Sequence, residues 1–372
     1  MPTSTSRGSV DPAPDEVTSV SRCIDRRHRR HATCRWALRV AGLGGWFALV
    51  LAHIAAVHAT DVVHLGGEGP RDGEVRLSGI VLDYTGEELR IDLGGGRVMR
   101  YPAQRVLRIE RGRTAAEAHG DQAAAEHRYA DARGAYETAM ASEPRAWVQR
   151  QLLAKLVRTT DQAGHAEIAG RRFLELVAAD PQTPDFACIP LAWLPAPAGR
   201  DLETVALAWL TVRDNPAARL LGASHLLNGR YAAAALAELR RLEVHHDVRI
   251  ACLAQSQAWR TTFADATDNQ LAHWAEAIDR YPLALRAGPY FVLGRAFAQR
   301  HEPERAALAL LRVPLHYPEQ AALAARALLE AGDALERLGQ GREAATLYAE
   351  LIEVYPHSEA AAGIRSRVRL DQ

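Results

Sequence analysis

The spacing of apolar residues changes partway along the chain, and the change predicts a short β-rich segment followed by a long helical one. In Ile80–Tyr84 and Leu89–Leu93, apolar and polar positions alternate with a period of two. Such alternation over short runs is typical of half-buried strands. From Thr114 onward, Ala, Leu, Arg and Glu dominate at helical spacing. We therefore predict a mainly α protein, with a small β module over residues 60–112 and a helical domain over residues 113–372.

The predicted β module is short, and its length limits the form that it takes. Glycines at Gly86 and in Gly94–Gly96 separate its apolar runs and suit hairpin turns. Because about fifty residues bury little core as an open sheet, we expect a small closed barrel of SH3-like or Sm-like type. Tyr84 and Tyr101 are its only aromatic residues, so we favour a structural or docking module over one that stacks RNA bases.

The amino-terminal region has the order of an export signal. Residues 1–39 begin with a Ser-, Thr- and Pro-rich stretch, for which we expect disorder, and continue into a segment with seven arginines. The next run, residues 40–57, has no formal charge, and small residues follow in Val57-His58-Ala59. We predict that residues 40–59 are a signal sequence cleaved after Ala59. A retained membrane anchor and a buried core helix are the alternatives. Either of the first two places residues 60–372 outside the cytoplasm.

A repeat of 38 residues is visible near the carboxyl end. One unit contains Tyr290, Leu293, Gly294, Phe297, Ala306, Leu310, Val313 and Pro318. The corresponding positions of the next unit are Leu328, Ala331, Gly332, Leu335, Ala344, Tyr348, Leu351 and Pro356. This pattern resembles the tetratricopeptide (TPR) repeat, in which two antiparallel helices pack through a small residue on each. The resemblance places Gly294 and Gly332 at helix crossings.

The resemblance implies an α-solenoid built from helix pairs. We expect seven pairs over residues 115–357 and a capping helix over Ser358–Leu370. The repeat is poorly matched over residues 183–215, where Pro190 and Pro195 interrupt it. Together with the leader, the pattern is similar to exported bacterial TPR proteins of the cell envelope, whose family role is to scaffold protein complexes.

The resemblance also implies a binding groove on the concave face of the array. Carried over position by position, this face contains Arg158, Trp259, Phe263, Arg295, Gln299, Asp333 and Arg337. Trp and Arg are enriched at binding hot spots. Trp259 and Phe263 have the alternative of lying in the core between repeats. The Lys and Asn residues with which chaperone-binding members hold a terminal carboxylate are missing, which disfavours that subfamily.

Composition and motifs give no sign of catalysis. The chain has 45 basic and 45 acidic residues, so it lacks the positive field expected of a nucleic-acid-binding protein. Motifs for hydrolases, zinc proteases, nucleotide binding and EF-hand calcium sites are absent, and we predict neither a metal nor a cofactor. Cys188 and Cys252 could form one disulfide in an exported protein, although two buried thiols are favoured.

These observations favour an exported, non-enzymatic adaptor that binds a protein or peptide in its concave groove, in the periplasm or cell envelope. The alternative is a membrane-tethered assembly subunit whose β module makes the partner contact. An enzyme or a carbohydrate-binding protein of the envelope is the least favoured class, because no polar constellation supports it.

Overall fold

The structure is a computed structural model that describes residues 60–67, 73–194 and 199–370. All of these residues belong to one compact unit. The predicted leader (residues 1–39) and the signal or anchor segment (residues 40–59) lie outside the described residues. Among the residues that are described, no helix is both long and apolar enough to cross a membrane.

Five antiparallel strands form the β module, in the spatial order β4-β3-β2-β1-β5. The strands are β1 (Asp61–Leu65), β2 (Val75–Tyr84), β3 (Glu88–Asp92), β4 (Val98–Pro102) and β5 (Val106–Glu110). The sheet is not closed, so the expectation of a closed barrel does not hold. A single 3₁₀ turn, Ala103–Arg105, joins the two edge strands. Because three residues span only about 10 Å, the sheet must curve strongly to bring these edges close.

The open sheet buries its inner face against the helices and not against itself. Val63, Leu65, Val81, Leu89 and Ile91 belong to the same apolar cluster as residues of the first three helices. That cluster supplies the core that about fifty residues could not build alone. The helix residues of the cluster are Ala123, Ala132, Tyr136, Ala139, Trp147, Val148, Leu152 and Leu156.

Fourteen helices follow the sheet in the described part of the chain, and helix and 3₁₀ turn account for 64% of it. They are α1 (Ala115–Ala125), α2 (Tyr129–Ser142), α3 (Ala146–Gln162), α4 (Ala166–Ala179), α5 (Arg200–Leu210), α6 (Pro216–Leu226), α7 (Ala232–Leu242), α8 (Val248–Trp259), α9 (Asp268–Arg280), α10 (Ala287–Gln299), α11 (Pro303–His316), α12 (Ala321–Arg337), α13 (Gly341–Val354) and α14 (Glu359–Leu370). Consecutive helices pack as pairs, which fits a helical repeat array.

The crossings within the last two pairs depend on glycine, as the 38-residue repeat predicts. A Cβ atom on Gly294 of α10 would lie 2.6 Å from Leu310 Cγ and 3.2 Å from the backbone oxygen of Ala306 in α11. Gly332 of α12 meets the ring of Tyr348 in α13 in the same way. The absence of a side chain at these positions lets the paired helices approach closely.

One irregular stretch interrupts the array of consecutive helix pairs, between α4 and α5. The chain there forms a 3₁₀ turn, Phe186–Cys188, and an irregular segment, residues 189–194. We call residues 189–194 the inner segment. Pro190 lies within it, and proline disfavours a helix interior because it lacks the N–H donor.

The two ends of the helical array meet. His127, in the turn between α1 and α2, bonds through Nε2 to the backbone oxygen of Val354 at the end of α13, at 2.6 Å. The backbone N–H of Ala322 in α12 donates to Gln162 Oε1 of α3 at 3.1 Å. The array is therefore curled, and a seam joins its first and last helices.

Candidate functional site

Three cavities lie where the curled array meets itself, and Gln162 contributes to the walls of all three. The largest, of about 530 Å³, lies against the inner segment, and we call it the central chamber. Two others, of about 480 and 430 Å³, flank the seam beside His127 and Tyr355. Volumes of this size are typical of ligand sites.

The central chamber is mostly apolar, with a few charged groups. Residues from α3, the inner segment, α6 and the start of α12 surround it. Its walls include Arg158, Asp161, Gln162, Cys188, Ile189, Leu191, Ala192, Trp193, Leu194, Leu202, His225, Glu319 and Leu323. Distant parts of the sequence thus line a single space.

Side chains of α6 hold the main chain of the inner segment. Ser224 Oγ accepts a hydrogen bond from the backbone N–H of Ala192 at 2.9 Å. His225 Nε2 lies 2.9 Å from the backbone oxygen of Pro190, which requires this nitrogen to carry the proton. Burial lowers the pKa of His225 to about 4, so the imidazole is neutral at pH 7. The interior of the array thus binds an irregular piece of chain through its backbone.

Trp193 anchors the same segment against the later helices. Its ring lies directly over Gly288 of α10, at a position where a Cβ atom would collide with it. Beside it, Phe263 lies under the guanidinium of Arg295, 5.1 Å from ring centre to Cζ. The predicted groove residues Phe263 and Arg295 are therefore together, next to a tryptophan of the chain's own inner segment.

Arg295 already has partners inside the protein. Its Nε lies 3.4 Å from Glu330 Oε2, and its guanidinium also lies over the ring of Phe291. Arg295 therefore has internal partners, and its role in the predicted groove stays a prediction. The residue stabilises the contact between α10 and α12.

Arg158 and Asp161 differ in their surroundings, although both line the central chamber. Arg158 pairs with Asp185 at 3.4 Å. Asp161 has neither an ion pair nor a side-chain hydrogen bond within the described ranges. Desolvation by burial raises the pKa of Asp161 from 3.8 to about 7. The chamber thus contains a carboxyl group that has no ion-pair partner among the described residues.

The remaining predicted groove residues differ in their exposure. Trp259 is only 5% exposed and stacks on Trp274 with ring centres 4.8 Å apart, which confirms the alternative that it is a core residue. Gln299 and Arg337 are exposed. Asp333 accepts hydrogen bonds from the Tyr348 hydroxyl at 2.9 Å and from Arg367 at 2.7 Å.

Sequence reasoning missed the most prominent feature of the interior, the inner segment itself. The prolines that interrupt the repeat predict a poorly matched unit there. They do not predict that this part of the chain lies inside the array. No sequence motif identifies the residues that contact the inner segment or the seam, because their roles depend on how the whole array curls. These residues are Ser224, His225 and Gln162.

Cys188 and Cys252 are free and buried, which confirms the interpretation as two thiols. Burial raises the pKa of each to about 12, so neither is a thiolate at pH 7. Across the described ranges, no group of three or more His, Cys, Asp or Glu residues is arranged to hold a metal ion.

No protein-family model matches the chain, and no curated protein matches it either.

Proposed function

We propose that this protein is a non-enzymatic adaptor of TPR type, which binds an irregular or extended apolar segment of a partner protein inside its curled helical array. The observation that carries the proposal is the inner segment. The array holds this piece of its own chain as it would hold a bound peptide. Side chains of α6 form hydrogen bonds with its backbone, and Trp193 packs against Gly288 of α10.

The three cavities next to the inner segment leave room for a segment of a partner protein. The central chamber and the two cavities beside the seam meet around Gln162. Their apolar walls suit alternate side chains of an extended peptide, and backbone groups of such a peptide need polar partners like Gln162. Binding there adds contacts without requiring the inner segment to leave.

We further propose that the adaptor acts after export, in the periplasm or cell envelope. This part of the proposal rests on the basic leader and the apolar run of residues 40–57.

The outer face of the sheet supports an alternative, in which the β module makes the partner contact. Ile80, Leu82 and Val98 are 38–45% exposed. Ile80 and Val98 belong to one row across the sheet, each paired with Asp92 of β3. Exposed apolar side chains on a sheet are candidates for protein contacts.

Site-specific photo-crosslinking separates the two possibilities. A photoreactive phenylalanine is placed at Gln162 inside the array, at Leu82 on the sheet, or at Val244, which is 87% exposed on the outside. Each full-length variant is irradiated in extracts of the native cells, and the crosslinked peptides are identified by mass spectrometry. We expect one partner segment joined to position 162 and none joined to position 244.

A partner joined only to position 82 would favour the sheet. Equal labelling at all three positions would contradict a defined site. Circular dichroism of each variant before irradiation checks that the introduced residue leaves the fold intact.

A further inference from the structure

The central chamber combines mostly apolar walls with the carboxyl groups of Asp161 and Glu319 and the guanidinium of Arg158. Asp161 has no ion pair within the described ranges, and desolvation by burial raises its pKa to about 7. Asp161 also lies in the last turn of α3, where the helix macrodipole is negative. Both effects would be relieved by a cation beside this carboxylate.

The other titratable groups around the chamber do not supply that cation. On α3, Arg158 is paired with Asp185. The imidazole of His225 on α6 is neutral, and Cys188 at the end of the 3₁₀ turn is a protonated thiol. Glu319, between α11 and α12, adds a further carboxylate to the wall. A cation that pairs with Asp161 would therefore be supplied by a ligand.

We propose that the central chamber binds a cationic group on an apolar body, with Asp161 as its counter-ion, and that this group is a lysine or arginine side chain of the bound partner segment. The identity of the source rests on the function proposed above. The volume of about 530 Å³ accommodates such a side chain together with an apolar neighbour.

The first test uses a small fluorescent amine and the full-length chain. Dansylcadaverine carries a primary ammonium on an aromatic body, and its N-acetyl derivative has the same body without the charge. We expect the amine to bind at least about tenfold more tightly than the acetylated probe. In Asp161→Asn this preference falls to within about twofold. Asp214→Asn, which neutralises an exposed aspartate, is the matched control and retains the preference.

The pH dependence gives an independent readout. The amine stays charged between pH 6 and pH 8, whereas Asp161 ionises across this range. Affinity for the amine therefore increases several-fold from pH 6 to pH 8 in the unchanged chain and stays flat in Asp161→Asn. No binding of the amine, or equal binding by Asp161→Asn, would overturn the proposal.

A competition arm identifies the source of the cation. Two octapeptides of alternating leucine and alanine differ only in a central lysine or norleucine. Displacement of the amine by the lysine peptide alone supports a peptide side chain. Displacement by neither peptide overturns that source. Partner crosslinking at position 162 measures the adaptor function separately, because it does not depend on the charge at Asp161.

Discussion

Asp161 shows how one residue connects the binding site to the stability of the fold. Its pKa is raised in the folded chain, so the folded chain holds this proton more tightly than the unfolded chain does. Ionisation of Asp161 therefore opposes folding. The penalty grows as the pH rises from about 4 to about 7 and is constant above that range.

Replacing Asp161 with asparagine removes this penalty. We expect Asp161→Asn to raise the free energy of unfolding by at most about 4 kcal/mol at pH 8, since each pKa unit corresponds to about 1.4 kcal/mol. The gain shrinks toward zero near pH 4. Urea denaturation between pH 4 and pH 8 measures it, with Asp214→Asn as the control. A gain that is independent of pH would contradict the raised pKa.

At the scale of elements, glycine at the helix crossings determines how closely paired helices pack. The side chain of Leu310 and the backbone of α11 leave no room for a large residue at Gly294. We expect Gly294→Leu, and Gly332→Leu in the next pair, each to lower the free energy of unfolding by about 1–3 kcal/mol or more.

Gly134 of α2 is the matched control for these variants. A Cβ atom there meets nothing within 4 Å. Gly134→Ala should therefore stabilise the chain by about 0.5–1 kcal/mol through helix propensity. Thermal unfolding followed by circular dichroism compares the three variants. An unchanged melting temperature for both leucine variants would show that the crossings lie elsewhere.

The elements that could be predicted from the sequence are those set by residues close together along the chain. The period of two placed the strands, and the small residues at Gly294 and Gly332 placed the last helix pairs, because these features depend on neighbours close along the chain. The inner segment, the seam at His127 and the pairing of Arg295 with Glu330 depend on how helices far apart in sequence meet. No periodicity records such contacts, and the binding residues were predicted less well for that reason.

At the scale of the whole molecule, the sheet shares a core with the first three helices. Trp147 of α3 is buried, and its Nε1–H donates to the backbone oxygen of Val81 at 3.1 Å. We expect Trp147→Phe to lower the free energy of unfolding by about 1–3 kcal/mol, because it removes this bond and part of the packing.

The same variant tests whether the two parts unfold together. Hydrogen exchange should increase in β2 as well as in α3 when Trp147 is replaced. Val98→Thr, at a position of β4 that is 45% exposed, should leave exchange in α3 unchanged. Faster exchange confined to α3 would indicate that the sheet is stable without the helices.

Export concerns the molecule as a whole. The first strand begins at Asp61, so the proposed cut after Ala59 leaves every described element in the mature chain. Amino-terminal sequencing of the native protein should begin at Thr60. A soluble cytoplasmic form that retains residues 40–57 would contradict the export proposal.

The seam between the first and last helices has a consequence for how this protein evolves. An open solenoid gains or loses units at its ends with little disturbance, because each unit contacts only its neighbours. Here Gln162 and His127 must meet α12 and the end of α13. Duplication of one 38-residue pair between them would carry the closing helices past their contacts and open the central chamber. We therefore expect the number of repeats to be constrained by the contacts at the seam.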